Sequence, residues 1–486
     1  MSELTQAVIN SKIWQSALAI RDKDPYTNQR ERLRSAFISF RERAGYLADM
    51  IRKDIPELTV HDLNHLDALW EISSMIMGDQ YSLTPTEVFT LGGAILLHDL
   101  AMSVISIEGG YTAIIKDRRW VDLVISEYQN VYDRDPTQTE INNPESLVFK
   151  RVMFNYLRQV HGEKAERLAF ISYSKADKPP LFLIEDIEIR QTFGRIIGLI
   201  AHSHCSSIDL VEKNFSRVIG APSWCPPDWT IDPLKVSCAL RLADAAHLDA
   251  SRSPTFLKEI TDLSPISELH WCFQEKLNKP YLRDDALTFT SGAAFKVTEE
   301  GAWWLCLEVL RMLDRELRSV DAMLAEKGYQ RFAAKRVTGV DLPERLMSYV
   351  QTDGWRPINA IIHVTDLPAV IKSIGGEELY GRDPQVPLRE LIQNGCDAVR
   401  ARRLYEKRER EYGKVTVSII ELAEGDFWLE VMDNGIGMSQ RVMTDFLLDF
   451  GRTFWGSPQM QEELPGLLSS GFKSTGKYGI GFFRFS

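Results

Sequence analysis

A chain of 486 residues with 44% hydrophobic and 26% charged residues has the composition of an ordinary globular protein, long enough for roughly two to four domains. Its net charge of -11 argues against a dedicated nucleic-acid binder, whose affinity for phosphates needs clustered Lys and Arg. No uninterrupted apolar core opens the chain, and the longest apolar stretch, 89–107, is broken by His98-Asp99, so neither a signal peptide nor a membrane span is expected. Cysteines 205, 225, 238, 272, 306 and 396 form no CxxC pair, which predicts reduced thiols and a cytoplasmic setting.

In chain order, residues 1–55 read as mixed-charge helices, a packing cap typified by 28–53. After Pro56, VHDLNHLDALWEISSMIMG sets His61, His65, Leu69 and Ile72 in a helical frame. A second apolar helix beginning at Pro85 carries His98-Asp99. RIIGLIAHSHC supplies His202 and His204, and CALRLADAAHLDASR supplies Asp244, His247 and Asp249. These groups lie in or at the ends of apolar helices, where a buried charge is costly unless paired or bound to metal. Imidazole and carboxylate donors on separate helices suit a divalent transition metal such as Mn, Fe, Co or Zn.

The order H…HD…D in this setting resembles the HD-domain metal phosphohydrolases, all-helical enzymes that hydrolyse phosphate esters. RLADAAHLD is similar to the final helix of that family, where RLAD carries the last ligand. The resemblance implies an HD domain over 56–255 with metal ligands His65, His98, Asp99 and Asp244. It leaves His61 and His202 for a second metal or for acid catalysis, with His204 as a substitute for His202. His204, His247 and Asp249 otherwise read as structural, and Arg241 and Arg252 as groups able to meet a phosphate, with a surface ion pair the favoured role of each.

Residues 256–350 read as connecting strands (HWCFQEK, ALTFTSGAAFKV) and a long amphipathic helix with Trp304, Leu307, Leu310 and Leu313 on a core-facing stripe. A linker is expected near 335–353. The basic run 400–410 carries glutamates at helical spacing and reads as a solvated face.

In 351–486, LRELIQNGCDAV sets Glu390, Asn394 and Asp397 on one helical face. There Glu390 is placed to polarise a water, Asn394 to hold a metal ion and Asp397 to buttress both. Two strand-like runs, VTVSII and FWLEVM, lead to Asp433 and a DNGIGM turn, and GKYGIGF follows later. These three motifs in order resemble the ATP-binding domain of the GHKL superfamily (gyrase, heat-shock chaperone, histidine kinase, MutL), most closely its chaperone branch. The resemblance implies ATP with Mg²⁺ as cofactor, Glu390 as catalytic base and Asn394 as Mg²⁺ ligand. It also implies that Asp397, Asp433, Gly437, Met438, Gly476, Gly479, Ile480, Gly481 and Phe482 line the nucleotide, under a lid spanning 451–477. Because the sequence stops a few residues past the glycine segment, the fold is expected to be incomplete at its C-terminal end and hydrolysis impaired.

The whole therefore reads as a multidomain protein, an all-α HD domain followed by an α+β GHKL (Bergerat) fold. That pairing is similar to the HD-CE class and implies a phosphoester substrate, dimerisation through the ATPase part and a role in bacterial defence against phage. The alternative is an ATP-dependent chaperone or remodelling protein whose HD domain is a non-catalytic sensor; DNA engagement in the manner of MutL fits the acidic charge least.

Overall fold

A computed structural model describes residues 4–174, 177–358, 385–421, 427–447, 449 and 452–475. The principal helices of the first half are α1 (Thr27–Asp54), α2 (Leu63–Met77), α3 (Pro85–Leu97), α4 (Arg118–Tyr132), α5 (Ser146–Ala165), α6 (Ile187–Ser203) and α7 (Pro233–Ala246). They are followed by α8 (Pro265–Lys276), strands β1 (Tyr281–Arg283) and β2 (Ala286–Thr288), α9 (Glu300–Glu326) and β3 (Arg336–Val337). Beyond these come α10 (Gln385–Tyr405), β4 (Val415–Glu421) and β5 (Phe427–Asp433). The chain divides into two compact units, Met1–Tyr111 with Leu157–Ala360, and Thr112–Tyr156 with Ile361–Ser486.

The first unit is built around α3. Pro85 stands at its first turn, and Thr84 and Glu87 close a reciprocal capping box, so the start of the helix is fixed by its own sequence. Every residue from Pro85 to Leu97 is buried, as expected of a helix that is apolar all round. Gly92 and Gly93 let its neighbours come close: a Cβ at Gly92 would stand 2.5 Å from Trp70 on α2 and 2.7 Å from Phe37 on α1, and one at Gly93 would stand 2.6 Å from Ile197 on α6. Helices α1, α2, α6 and α7 pack around α3, and α8 and α9 extend the same core. The helices before residue 56 thus share the core of the helical unit, with Phe37, Phe40 and Leu47 buried in it.

Three readings of the sequence are corrected in this unit. HWCFQEK is part of α8, which starts at Pro265; Ser267, Trp271 and Gln274 are buried at helical spacing, and seven residues that alternate also satisfy that period. On α9 the buried tryptophan is Trp303, with Cys306, Leu307, Leu310 and Leu313, whereas Trp304 is half-buried. Residues 335–353 are packed core: β3 pairs parallel with β2, which pairs antiparallel with β1, and Val337, Val340, Leu346 and Val350 are buried.

In the second unit, the two expected strands β4 and β5 pair antiparallel from Val415↔Asp433 to Glu421↔Phe427, with α10 packed on them. The Asp122 carboxylate on α4 accepts bonds from Gly466 N (2.5 Å) and Ser469 N (2.8 Å), tying the segment 112–156 to the later chain. Residues 406–410 of the basic run are exposed and Arg402 and Arg408 pair with Glu406, while Arg402 also donates to Asn434 O and Gly435 O and Arg403 to Tyr412 O. No helix among the described residues is long and apolar enough to cross a membrane, and all six cysteines are unpaired.

Candidate metal centre

The centre assembles where three helices of the first unit end or begin. Asp62 caps α2 by accepting from Asn64 N and His65 N, which fixes the backbone of His65 in the first turn. His61 therefore precedes the helix, in the loop, rather than lying in its frame. α3 runs out at Leu97, presenting His98 as its C-cap and Asp99 immediately after it. Pro233, capped by Asp232, starts α7, whose last turn carries Asp244.

These elements bring His65, His98, Asp99 and Asp244 together, one ligand atom from each lying within 4.8 Å of every other. His98 Nε2 stands 2.9 Å from Asp99 Oδ2 and 3.5 Å from Asp244 Oδ1. His65 Nε2 is 3.6 Å and 3.7 Å from the same two oxygens. His61 Nε2 lies 3.7 Å from Asp99 Oδ2. The other oxygen of Asp99, Oδ1, faces a different pair, His161 Nε2 at 3.7 Å and His204 Nε2 at 3.9 Å.

The ring nitrogens away from the centre show which tautomers are present. Nδ1 of His98 donates to Ile95 O (2.8 Å), Nδ1 of His161 to Arg158 O (2.6 Å), Nδ1 of His204 to Ala201 O (2.5 Å) and Nδ1 of His61 to Thr59 O. A neutral imidazole with its proton committed to a carbonyl has only a lone pair at Nε2. In their neutral forms His98, His161 and His204 thus turn three such lone pairs toward the carboxylate of Asp99, while that of His61 accepts from Arg252 Nη2, and the buried Nε2 of His98 makes no hydrogen bond despite its short distance to that carboxylate. Lone pairs opposed to carboxylate oxygens in a dry site repel, and a cation between them reconciles both. The donor set therefore fits a divalent metal ion.

Charges in the site agree. Burial and the nearby Arg252 guanidinium push the pKa values of His61, His65 and His247 down, which keeps these rings neutral. Burial alone would also depress His98, but the charge of Asp99 and the partnership of Asp244 outweigh it and hold His98 well above the ordinary range. A cation and a proton thus compete for His98 Nε2. Asp99 and Asp244 stay ionised, their burial outweighed by the histidines around them.

The sequence reading missed several residues of this centre. Arg252 is buried, not a surface pair: Nη1 is 2.7 Å from His65 Nδ1 and Nη2 is 2.7 Å from His61 Nε2. His247, read as structural, shares a 2.8 Å Nδ1–Nδ1 contact with His65. His161 and Cys205 were not singled out at all. His202 points elsewhere, its Nδ1 2.5 Å from Glu166 and its side chain 37% exposed, because it lies two helical residues from His204 and so leaves the other side of the helix end. Arg241 does pair with an acid, Glu316, at 2.6 Å.

In the second unit, the structure joins two of the three later motifs. Gly395 on α10 lies against the end of β5, where its added Cβ would stand 3.4 Å from Asp433 Cβ. Ile436 N donates to Ala398 O at 3.0 Å, and a Cβ on Gly435 would press to 2.5 Å of the Ala398 carbonyl carbon. Asn394 and Asp433 are exposed, Glu390 is half-buried, and Gly437 takes a φ of +76° next to exposed Met438. Asp397 is fully buried and accepts from Thr475 N (2.8 Å) and Oγ1 (3.0 Å), so it braces the segment at 475. Gly476, Gly479, Ile480, Gly481 and Phe482 lie outside the described residues.

A protein-family model described as HD-CE matches residues 55–319, more than half of the chain, and contains every residue of the His–Asp centre while ending before Leu388. No curated protein and no solved structure matches.

Proposed function

The chain belongs to the HD-CE family, and from that premise we propose that its His–Asp centre is a metal-dependent phosphoester hydrolase site. The observation carrying this reading is the Asp99 carboxylate, whose two oxygens each face imidazole nitrogens of different helices. A divalent cation held by His65, His98, Asp99 and Asp244 would supply Lewis acidity toward a phosphoryl oxygen and a water nucleophile at neutral pH. The chain's own part is to keep Asp99 and Asp244 anionic and His65 neutral, while His98 gives up a proton in favour of the cation. Asp62 fixes the backbone of His65, and Ile95 O the tautomer of His98. Burial and the charge of Arg252 keep His61 and His65 unprotonated, and His61 borders the centre with its Nε2 held by Arg252.

The protein loaded with manganese, iron, cobalt or zinc is expected to hydrolyse at least one member of a panel of phosphomonoesters, phosphodiesters and nucleotides. Chelation should abolish that turnover and metal readdition restore it. A protein that copurifies without metal and binds none would favour the alternative, a sensor domain serving a chaperone-like ATPase.

A finer part of the proposal concerns the second unit, read as an ATP-binding domain of the GHKL type working with Mg²⁺ on Glu390 and Asn394. It is supported by the seating of the DNG turn on α10, which sets the Asp433 end of β5 beside the helix that bears both residues. Asp433→Ala is expected to weaken ATP binding by about 10- to 100-fold, the scale of one well-placed polar contact of about 1.5–3 kcal/mol. Isothermal titration decides, and unchanged affinity would remove Asp433 from the pocket. Dimerisation through this part and a setting in bacterial defence belong to the same proposal and rest on the family alone.

A further inference from the structure

Where α9 meets β3, five arginines line one cleft of about 380 Å³. Three of them, Arg311, Arg315 and Arg318, stand at i, i+4 and i+7 on α9 and so share one helical face. Arg336 comes from β3, and Arg345 from the short helix Pro343–Leu346. The turn between those two elements shapes the wall. Gly339 takes a φ of +76° there, and a Cβ on it would stand 3.4 Å from Leu346 N.

The acids paired with these arginines are already committed, and they are too few. Asp314 accepts from Arg318 Nε at 2.7 Å through one oxygen and from Val337 N at 2.7 Å through the other. Arg336 pairs with Asp285 at 2.9 Å, and Arg345 with Asp341 at 2.5 Å. Arg311 gives its Nε to Val340 O (2.9 Å) and its Nη2 to Asp341 O (3.3 Å), bonds that fix the guanidinium without neutralising it. Arg315 is exposed and pairs with no acid among the described residues. Two like charges four residues apart on one helix repel, and concave walls concentrate their field. This happens in a chain whose net charge is -11.

We propose that this cleft binds a compact polyphosphate, the phosphate chain of a nucleotide or a free one, through its arginine forks. A guanidinium matches phosphoryl oxygens two at a time, and the half-exposed pairs with Asp285 and Asp341 cost little to exchange for a ligand. A single carboxylate would answer one of the two unpaired arginines, whereas linked phosphoryl groups answer both. The volume suits a small ligand, and an extended nucleic acid would run from the cleft onto a chain that is acidic overall. The cleft shares no residue with the His–Asp centre and stands independently of the hydrolase reading.

The test is calorimetric titration of tripolyphosphate into metal-stripped full-length protein held in chelator. One equivalent should bind, and more weakly as salt is raised. Arg315→Gln should weaken binding roughly 10-fold, and Arg311→Gln/Arg315→Gln roughly 100-fold or more, as charge-assisted contacts are removed in turn. Because Arg315 is exposed, its single variant should keep the wild-type circular dichroism and melting temperature. Arg315→Lys, which keeps the charge and loses the fork, should fall between. Competition by GTP would identify the phosphate chain of a nucleotide as the ligand, and its absence a free polyphosphate. Binding untouched by the arginine variants, or lost instead in Asp99→Asn or Asp433→Ala, would overturn the assignment of the cleft. So would no binding by wild type, or tighter binding of a single-stranded oligonucleotide.

Discussion

Asp99→Asn is expected to strip the protein of metal and to lower metal-dependent phosphoester hydrolysis by about 10³-fold or more. The size follows from what a bound cation contributes: several kcal/mol of charge stabilisation at the phosphoryl group, at a factor of ten for each 1.4 kcal/mol or so. Asp99 is the residue to change because it faces both sets of imidazoles, His65 and His98 through Oδ2 and His161 and His204 through Oδ1. Asparagine keeps the shape and removes the charge, so its effect is electrostatic rather than steric. Metal content by plasma mass spectrometry and turnover on the best substrate of the panel are the two readouts, with circular dichroism to show that the helices persist. Asp244→Asn, which leaves the Asp99 carboxylate in place between both pairs of imidazoles, should cost less metal. Equal turnover by wild type and Asp99→Asn would sink the hydrolase assignment outright.

How much of this was legible beforehand depended on whether a residue announced itself by its local setting. His98-Asp99 did, because a charged pair ending a wholly apolar run has no bland explanation in a core. His65 and Asp244 followed from their own apolar helices. His161 and Cys205 did not, since a single imidazole in α5 and a thiol after α6 have no local pattern, and the 3.6-residue period fixes a face without naming the helix that it meets. His202 and His204 show the same limit at two-residue range. Which of them enters the centre depends on where α6 ends, and the sequence leaves that open by a residue or two. Arg252 looked like a surface cation because burial of a loop residue is decided by what packs over it, here by His61, His65 and His247. In the later motifs, LRELIQNGCDAV and DNGIGM were recognisable from residue type and spacing. That Asp397 is buried against Thr475, on the side away from solvent, could be seen only once the segment at 475 was placed.

The largest expected loss of stability lies one residue pair away from the metal. Arg41 on α1 and Asp67 on α2 form an ion pair with side chains only 3% and 4% exposed, joined by Nε to Oδ1 at 2.7 Å and by a second bond from Nη2. Asp67 gains one more donor, Thr5 Oγ1 at 2.8 Å. Arg41→Met would leave a buried carboxylate with that hydroxyl alone, and breaking one side of a buried pair costs about 3–5 kcal/mol. Urea unfolding should show the loss, and a variant within about 1 kcal/mol of wild type would mean that the carboxylate is not stranded as argued. The double variant Arg41→Met/Asp67→Leu removes the charges together and should recover most of the stability, because two apolar side chains need no compensation in a core. Its metal affinity is the more telling value. Asp67 follows His65 by two residues and so points to the opposite side of α2, where the pair holds the back of the helix against α1 while His65 faces Asp99 and Asp244. If the double variant folds as stably as wild type yet binds metal more weakly, the pair's contribution is to aim His65. If it recovers both, apolar packing of α1 on α2 is enough to aim it.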